Sequence, residues 1–182
     1  MKRFSLTVAS GLTLIALGSP LHIKAQELEQ HRLAIEPDVG LGFDFDAEEL
    51  FFQFSFGFPL TELSDNVILR GHPSFDFFPF VENATLWALN LEAAISFFLQ
   101  NATVVPFIGG GFSIQHASVD IGNIVLPPGV SASDTDAALL LRGGVLFPIA
   151  TALLLDPNIY IRAGSGSSVG LAVAVRFMLG GT

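Results

Sequence analysis

His72, Ser74 and Asp76 fall at alternate positions of one extended run, and they are the residue types of a base, a nucleophile and an orienting acid. Alternate residues of a strand point the same way but stand ~7 Å apart, too far for direct hydrogen bonds along that strand. The spacing therefore favours a polar stripe over a catalytic set. His116 lies beside the longest polar segment, on the apolar register of its own run, and is the weaker catalytic candidate. His31 precedes the first run. Gly109-Gly-Gly111 has neither a following Gly-Lys-Ser/Thr nor a helix to open, so a phosphate loop is excluded. Asp44-x-Asp46 begins like a Ca²⁺ loop but lacks its Gly and its terminal Glu; with Glu48 and Glu49 it reads as a solvated acidic rim. The chain has no Cys, which removes thiolate metal sites and disulfides. No catalytic, cofactor-binding or metal-binding set is expected.

The elements that carry these residues are unusual in composition. Of 182 residues, 51% are hydrophobic and 14% charged, against about 25% charged in an ordinary soluble domain. Lys2 and Arg3, the apolar run Leu6 to Leu17 and the small residues near Ala25 read as a signal peptide over residues 1–25, leaving 26–182 as one domain. Beyond residue 25 the chain keeps five Arg, no Lys and all seventeen acids. Nothing in that balance neutralises phosphates, so a nucleic-acid partner is excluded.

Helical membrane spans fit poorly. The longest apolar candidate, Ala137 to Leu155, contains Arg142, Gly143, Gly144 and Pro148. Period-two alternation fits far better, over eight runs. In the last, Val169, Leu171, Val173, Val175 and Phe177 alternate with Ser168, Gly170, Ala172, Ala174 and Arg176. In the second, Phe52, Phe54, Phe56 and Phe58 alternate with Phe51, Gln53, Ser55 and Gly57. In the fourth, Trp87, Leu89, Leu91, Ala93, Ile95 and Phe97 oppose Ala88, Asn90, Glu92, Ala94 and Ser96. The remaining runs, 33–43, 67–77, 104–116, 139–147 and 153–163, follow the same rule. Pro157, which cannot donate to a ladder, leaves the start of the 153–163 strand open. Only helices and closed sheets satisfy every backbone group in lipid. Eight such runs predict an all-β, eight-stranded antiparallel up-and-down transmembrane β-barrel.

The connections alternate too. Short turns are expected at Thr61–Asn66, Gln100–Thr103 and Ile149–Ala152, and outer loops at Asp44–Glu49, Phe80–Ala84, Ala117–Asp136 and Gly164–Ser167. The polar face holds Glu36, Asp38, Asp76 and Glu92 against Arg70, Arg142, Arg162 and Arg176. Eight strands leave an interior just wide enough to be filled by side chains. Those eight charges are expected to pair there, because unpaired buried charge is very costly. Gly and Ala on the same face leave room for the long Arg side chains. A soluble barrel of lipocalin type is the competing reading; it would turn the apolar face inward.

Phe56-Gly-Phe-Pro-Leu60 with Ser64-Asp-Asn-Val67, Pro106-Phe-Ile-Gly-Gly-Gly-Phe112, Gly143-Gly-Val-Leu-Phe-Pro148 and Val169-Gly-Leu-Ala-Val-Ala-Val-Arg-Phe177 resemble segments of the small outer-membrane β-barrel family, of OmpA and opacity-protein type. The resemblance covers roughly residues 30 to 182. It implies a monomer in the outer membrane, in contact with its lipids, inserted by the barrel-assembly machinery after export, without enzyme activity or cofactor. A structural or interaction role follows, with a narrow porin-like channel or a lipid-modifying enzyme as alternatives. Two features depart from the family pattern: Met178 to Thr182 follow the final aromatic, and Phe takes the place of girdle Tyr and Trp.

Overall fold

The computed structural model describes residues 34–81, 84–99, 102–119, 132–150, 152–165 and 167–179. The expected signal peptide lies outside these residues. The strands are β1 (Glu36–Asp44), β2 (Glu49–Ser64), β3 (Val67–Gly71), β4 (Ser74–Phe78), β5 (Ala84–Phe97), β6 (Val105–Val119), β7 (Ser133–Ala150), β8 (Leu153–Gly164) and β9 (Ser168–Phe177). Each pairs antiparallel with its neighbours, and β1 pairs with both β2 and β9, which closes the sheet on itself.

Nine strands make a ring of eight. The predicted third run is broken at His72-Pro73 into β3 and β4, because Pro73 has no N–H to give. The register nonetheless runs straight through: Phe58 faces Gly71 and Ser55 faces Ser74 on one side, while Gly71 faces Ala93 and Ser74 faces Asn90 on the other. Backbone bonds bridge the break, from His72 N to Glu92 O at 2.8 Å and from Phe56 N to Pro73 O at 3.1 Å. Pro157 sits well inside β8, opposite Val173 of β9. Toward β7 the pairing passes over it and resumes in unchanged register from Asn158–Gly144 to Leu155–Phe147.

Other boundaries move outward from their expected places. β2 continues through Thr61 to Ser64, so the first turn is only Asp65-Asn66. β6 and β7 extend to Val119 and back to Ser133, so the expected loop 117–136 loses both its ends to paired strand. Residues 120–131, its centre, lie outside the described residues.

The faces decide the architecture. Phe54 is 51% exposed and Leu141 58%, whereas Arg70 and Arg176 are 2% and 3% exposed. The bulky face points out all round the ring and the charged face points in. That is the reverse of a lipocalin-type barrel, whose apolar side chains fill the centre. A continuous outward apolar surface is what a bilayer core requires of a closed sheet.

Candidate functional site: the charged lumen

The lumen is layered along the barrel axis. At the turn end Ala94, Val105, Phe107, Leu146 and Leu154 form an apolar cluster, with Phe98 and Met178 packed on it. Toward the loop end Phe51, Phe78, Leu140, Tyr160 and Ala172 form a second. Lumen-facing glycines clear space for the large side chains: a Cβ on Gly42 would lie 2.0 Å from the Phe51 ring, and one on Gly170 2.2 Å from the Tyr160 hydroxyl oxygen. This corrects one expectation. Gly42 and Gly170 seat aromatic rings and Gly109 the Glu92 carboxylate, where room for arginines was expected.

The charges share the lumen with these clusters: Arg70 pairs in register with Ala94 and Arg176 with Leu154, while Asp44 and Arg162 stand at the loop end. All eight residues expected on the polar face, Glu36, Asp38, Arg70, Asp76, Glu92, Arg142, Arg162 and Arg176, are buried. Asp44 and Asp156 join them, so that among the described residues six buried carboxylates face four guanidiniums.

Arg176 of β9 is the hub. Its Nε lies 3.0 Å from Asp156 Oδ2 and 3.8 Å from Asp38 Oδ2; its Nη1 is 3.3 Å from Glu36 Oε2, and its Nη2 also donates to Asp156. Glu36 passes the chain of pairs to Arg70, whose Nη2 is 2.9 Å from Glu36 Oε1 and donates to the Ala34 carbonyl at 2.7 Å. Arg142 pairs with Glu92, Nε to Oε2 at 3.0 Å. Arg142 and Arg176 flank the Phe107 ring, 5.6 and 5.4 Å from its centroid, so the turn-end cluster offers these cations an aromatic face.

His72 sits among these groups. Its Nε2 is 3.1 Å from Asp38 Oδ2, and its Nδ1 faces Arg142 Nη2. A guanidinium can only donate, so Nδ1 accepts and Nε2 carries the hydrogen given to Asp38. Ser55 also donates to Asp38. Both ring nitrogens of His72 are thus committed to Asp38 and Arg142, and Ser74 and Asp76 are used elsewhere: Asn90 Nδ2 donates to Ser74 Oγ at 3.0 Å and to Asp76 Oδ2 at 2.9 Å. Gln53 Nε2 donates to Asp76 Oδ1 at 3.1 Å, and Arg162 Nη2 to Asp76 Oδ2.

Asp44 requires a correction. The acidic cluster at the first loop was expected to be solvated, yet Asp44 is the last residue of β1 and is buried. Its Oδ1 accepts from the N–H groups of Asp46 and Ala47, both at 3.1 Å, which shapes the turn. Its Oδ2 accepts from the Tyr160 hydroxyl at 2.9 Å and Arg162 Nη1 at 3.4 Å. Arg162 in turn stacks on Tyr160, 4.4 Å from the ring centroid. Losing one hydrogen bond to a buried charge costs about 1.5–3 kcal/mol. Tyr160→Phe is therefore expected to lower the unfolding free energy by that amount in urea titrations, while keeping the Arg162 stack.

His116 lies on the outer face of the loop end. It stacks on Trp87 at 5.2 Å between ring centroids, and its Nδ1 is 2.8 Å from Thr135 Oγ1. The sheet register aligns Trp87, His116 and Thr135 across three strands. His31 lies outside the described residues.

Comparison with known proteins shows the fold. No family model matches the chain, and no curated protein sequence matches it. Among solved structures, the N-terminal β-barrel domain of Pseudomonas aeruginosa OprF superposes with a TM-score of 0.61 at 12% identity, over 81% of this chain and 98% of that one. Ail, the attachment invasion locus protein of Yersinia pestis, gives 0.54 at 14% identity, over 80% and 98%. The outer membrane enzyme PagL gives 0.51 at 9% identity, over 79% and 99%. The chain has the fold of the small eight-stranded outer-membrane β-barrels.

Proposed function

We propose that this chain is a monomeric outer-membrane barrel with a structural or interaction role, a packed and charge-paired lumen, and no catalysis or cofactor. In this reading residues 1–25 direct export, the barrel-assembly machinery inserts residues 26–182, and the outward apolar face meets outer-membrane lipid. The observation that carries the packed-lumen reading is the turn-end cluster of Ala94, Val105, Phe107, Leu146 and Leu154, buried apolar side chains packed inside the barrel beside the paired Arg142 and Arg176. An ion crossing there would have to shed its water among buried apolar side chains and charges that are already paired, and bare charge in such a medium is very costly. A narrow channel is correspondingly disfavoured.

Planar-bilayer recording tests this directly. The purified barrel is expected to give no unitary current steps above the baseline of protein-free bilayers; steady, reproducible steps would establish the channel instead. Placement in the outer membrane has its own check, retention in that fraction after sodium carbonate extraction together with heat-modifiable gel migration. The fold itself does not choose between roles, since it is shared by OprF, Ail and an enzyme. The lipid-modifying alternative rests on the single hydrogen bond between His116 and Thr135.

A further inference from the structure

We propose that the loop end of β7 is an open sheet edge that takes an extended basic segment of a partner protein as an additional antiparallel strand. This rests on the outer-membrane, interaction reading above and names the kind of partner that reading needs.

Strand register shows the edge. β7 runs from Ser133 to Ala150, and its first residues pair with β6 alone: Ser133 faces Ser118, Thr135 faces His116 and Ala137 faces Ile114. On the other side β8 ends at Gly164, opposite Ala138. Among the described residues no strand lies beside Ser133–Ala137 there. β5 holds the other flank of the hairpin, with Ala84 opposite Val119. The bonding pattern fixes what the edge presents. Val119 N donates to Ala132 O at 2.8 Å, which makes these two a hydrogen-bonded pair. Such pairs recur at every second residue of an antiparallel ladder. Asp134 and Asp136 therefore turn their backbone groups to β6, and Ser133, Thr135 and Ala137 turn theirs to the open side. Open edges do not occur in lipid hydrocarbon, so this stretch stands at or beyond the headgroups, where another polypeptide reaches it.

Charge selects the strand. Asp134 is exposed and Asp136 half-buried, and both share the parity of Ala138 and Leu140. Every Arg among the described residues is buried, and the sequence has no Lys beyond Lys24. No described surface cation offsets these two acids, so a second copy of the edge is repelled by the first. A strand with Lys or Arg at alternate positions is attracted. Its cations stand directly opposite Asp134 and Asp136 in non-hydrogen-bonded pairs, where side chains come closest. Asp134 Oδ1 also accepts from Thr135 N at 2.8 Å, which covers the central donor of the edge. An incoming cation draws that carboxylate away and frees the N–H for the new ladder. Exposed edges carry charge to keep strands off; here the same charge sets which strand is admitted, with main-chain bonds supplying affinity and alternate side chains specificity.

The test uses the full barrel, refolded in uncharged detergent micelles and checked by heat-modifiable migration. It is titrated with the end-capped peptide Thr-Lys-Val-Lys-Thr while backbone ¹H–¹⁵N resonances are followed. The amides of Thr135 and Ala137 are expected to shift saturably and to exchange more slowly with solvent. Thr-Val-Lys-Lys-Thr, equal in charge but broken in alternation, is expected to bind at least tenfold more weakly. Methylating the Val nitrogen, which faces the edge, is expected to abolish binding; methylating a Lys nitrogen, which faces away, is expected to leave it nearly unchanged. On the protein, Thr135→Pro removes an N–H from the open side without touching the β6 ladder and is expected to abolish binding, and Asp134→Asn with Asp136→Asn to weaken it at least tenfold. Equal effects of the two methylations, equal binding of the two sequences, or no saturable shift at these amides overturns the proposal. Tighter binding of a peptide copying Ser133–Ala137 overturns it too, by assigning the edge to a second copy. These outcomes are read on a barrel already shown to be heat-modifiable, and lumen conductance is read separately by bilayer recording, so failure here leaves the packed-lumen reading standing.

Discussion

Replacing Arg176 with methionine is expected to lower the unfolding free energy by about 3–5 kcal/mol, the cost of removing one partner from a buried ion-pair network. The substitution keeps much of the side-chain volume and its contact with Phe107, so the loss is chiefly electrostatic. It leaves Asp156 with no described cation at ion-pair distance, strips Glu36 of one of its two described guanidiniums, and leaves Asp38 with the donors His72 and Ser55. Lysine does not rescue it, because an ammonium cannot reproduce the fork that meets Asp156 and Glu36 together. A second change, Asp156→Asn, is expected to restore part of the loss by removing the carboxylate left without a cation. Urea unfolding from lipid vesicles, followed through Trp87, the single tryptophan, measures all three variants. A loss below about 1 kcal/mol, the level of a solvated surface pair, would mean that the lumen is filled with water and the pairs are screened.

The barrel and its inward charges were legible because both rest on parity. A strand alternates faces at every residue, and closure forces one face outward along its whole length. Eight runs of alternating size therefore specified the ring, its faces and the eight charged positions before any contact was known. What parity does not encode is where a strand stops. Asp44 shares its parity with Glu36 and Asp38, yet the acidic string Asp44 to Glu49 looks like a loop; only the pairing of Asp44 with Gly170 and Glu49 draws it inside. Asp156 sat on the polar face of its run, but its role as the main acceptor of Arg176 depends on how β8 and β9 are staggered. His72 read as one member of a polar stripe. Its actual partners, Asp38 and Arg142, come from β1 and β7 and have no local signature.

The apolar clusters were harder still to see. Phe51, Phe107, Leu140 and Leu146 all lie on the face that carries the charges, and all are buried. Each breaks the rule that the inner face is small or polar, and as isolated positions they resemble noise in the pattern. Three dimensions collect them in two clusters, one toward each end of the lumen, where they pack against one another beside the ion pairs. Burying them there strengthens the neighbouring pairs, since charge attraction grows as water is excluded. The same residues thus stabilise the barrel and, in the role proposed for it, close it.

Leu141→Arg is expected to cost about 2–4 kcal/mol, the penalty for a charge on the lipid face near the bilayer midplane. Leu141 lies near the middle of β7 and is 58% exposed, facing away from the lumen. One residue further along, Arg142 occupies the opposite face at 3% exposure and is paired with Glu92. The two positions carry opposite instructions within a single peptide unit. The decisive comparison is the same substitution near the strand end, Thr135→Arg, where the penalty should fall to about 0–1 kcal/mol because the headgroup region solvates charge. Vesicle unfolding of both variants reads the depth dependence. A barrel whose outer face met water instead would show no such gradient: an arginine at exposed position 141 would shift stability by no more than about 0.5 kcal/mol, as surface substitutions do. That flat response would remove the bilayer from the account of this protein while leaving its internal charge network untouched.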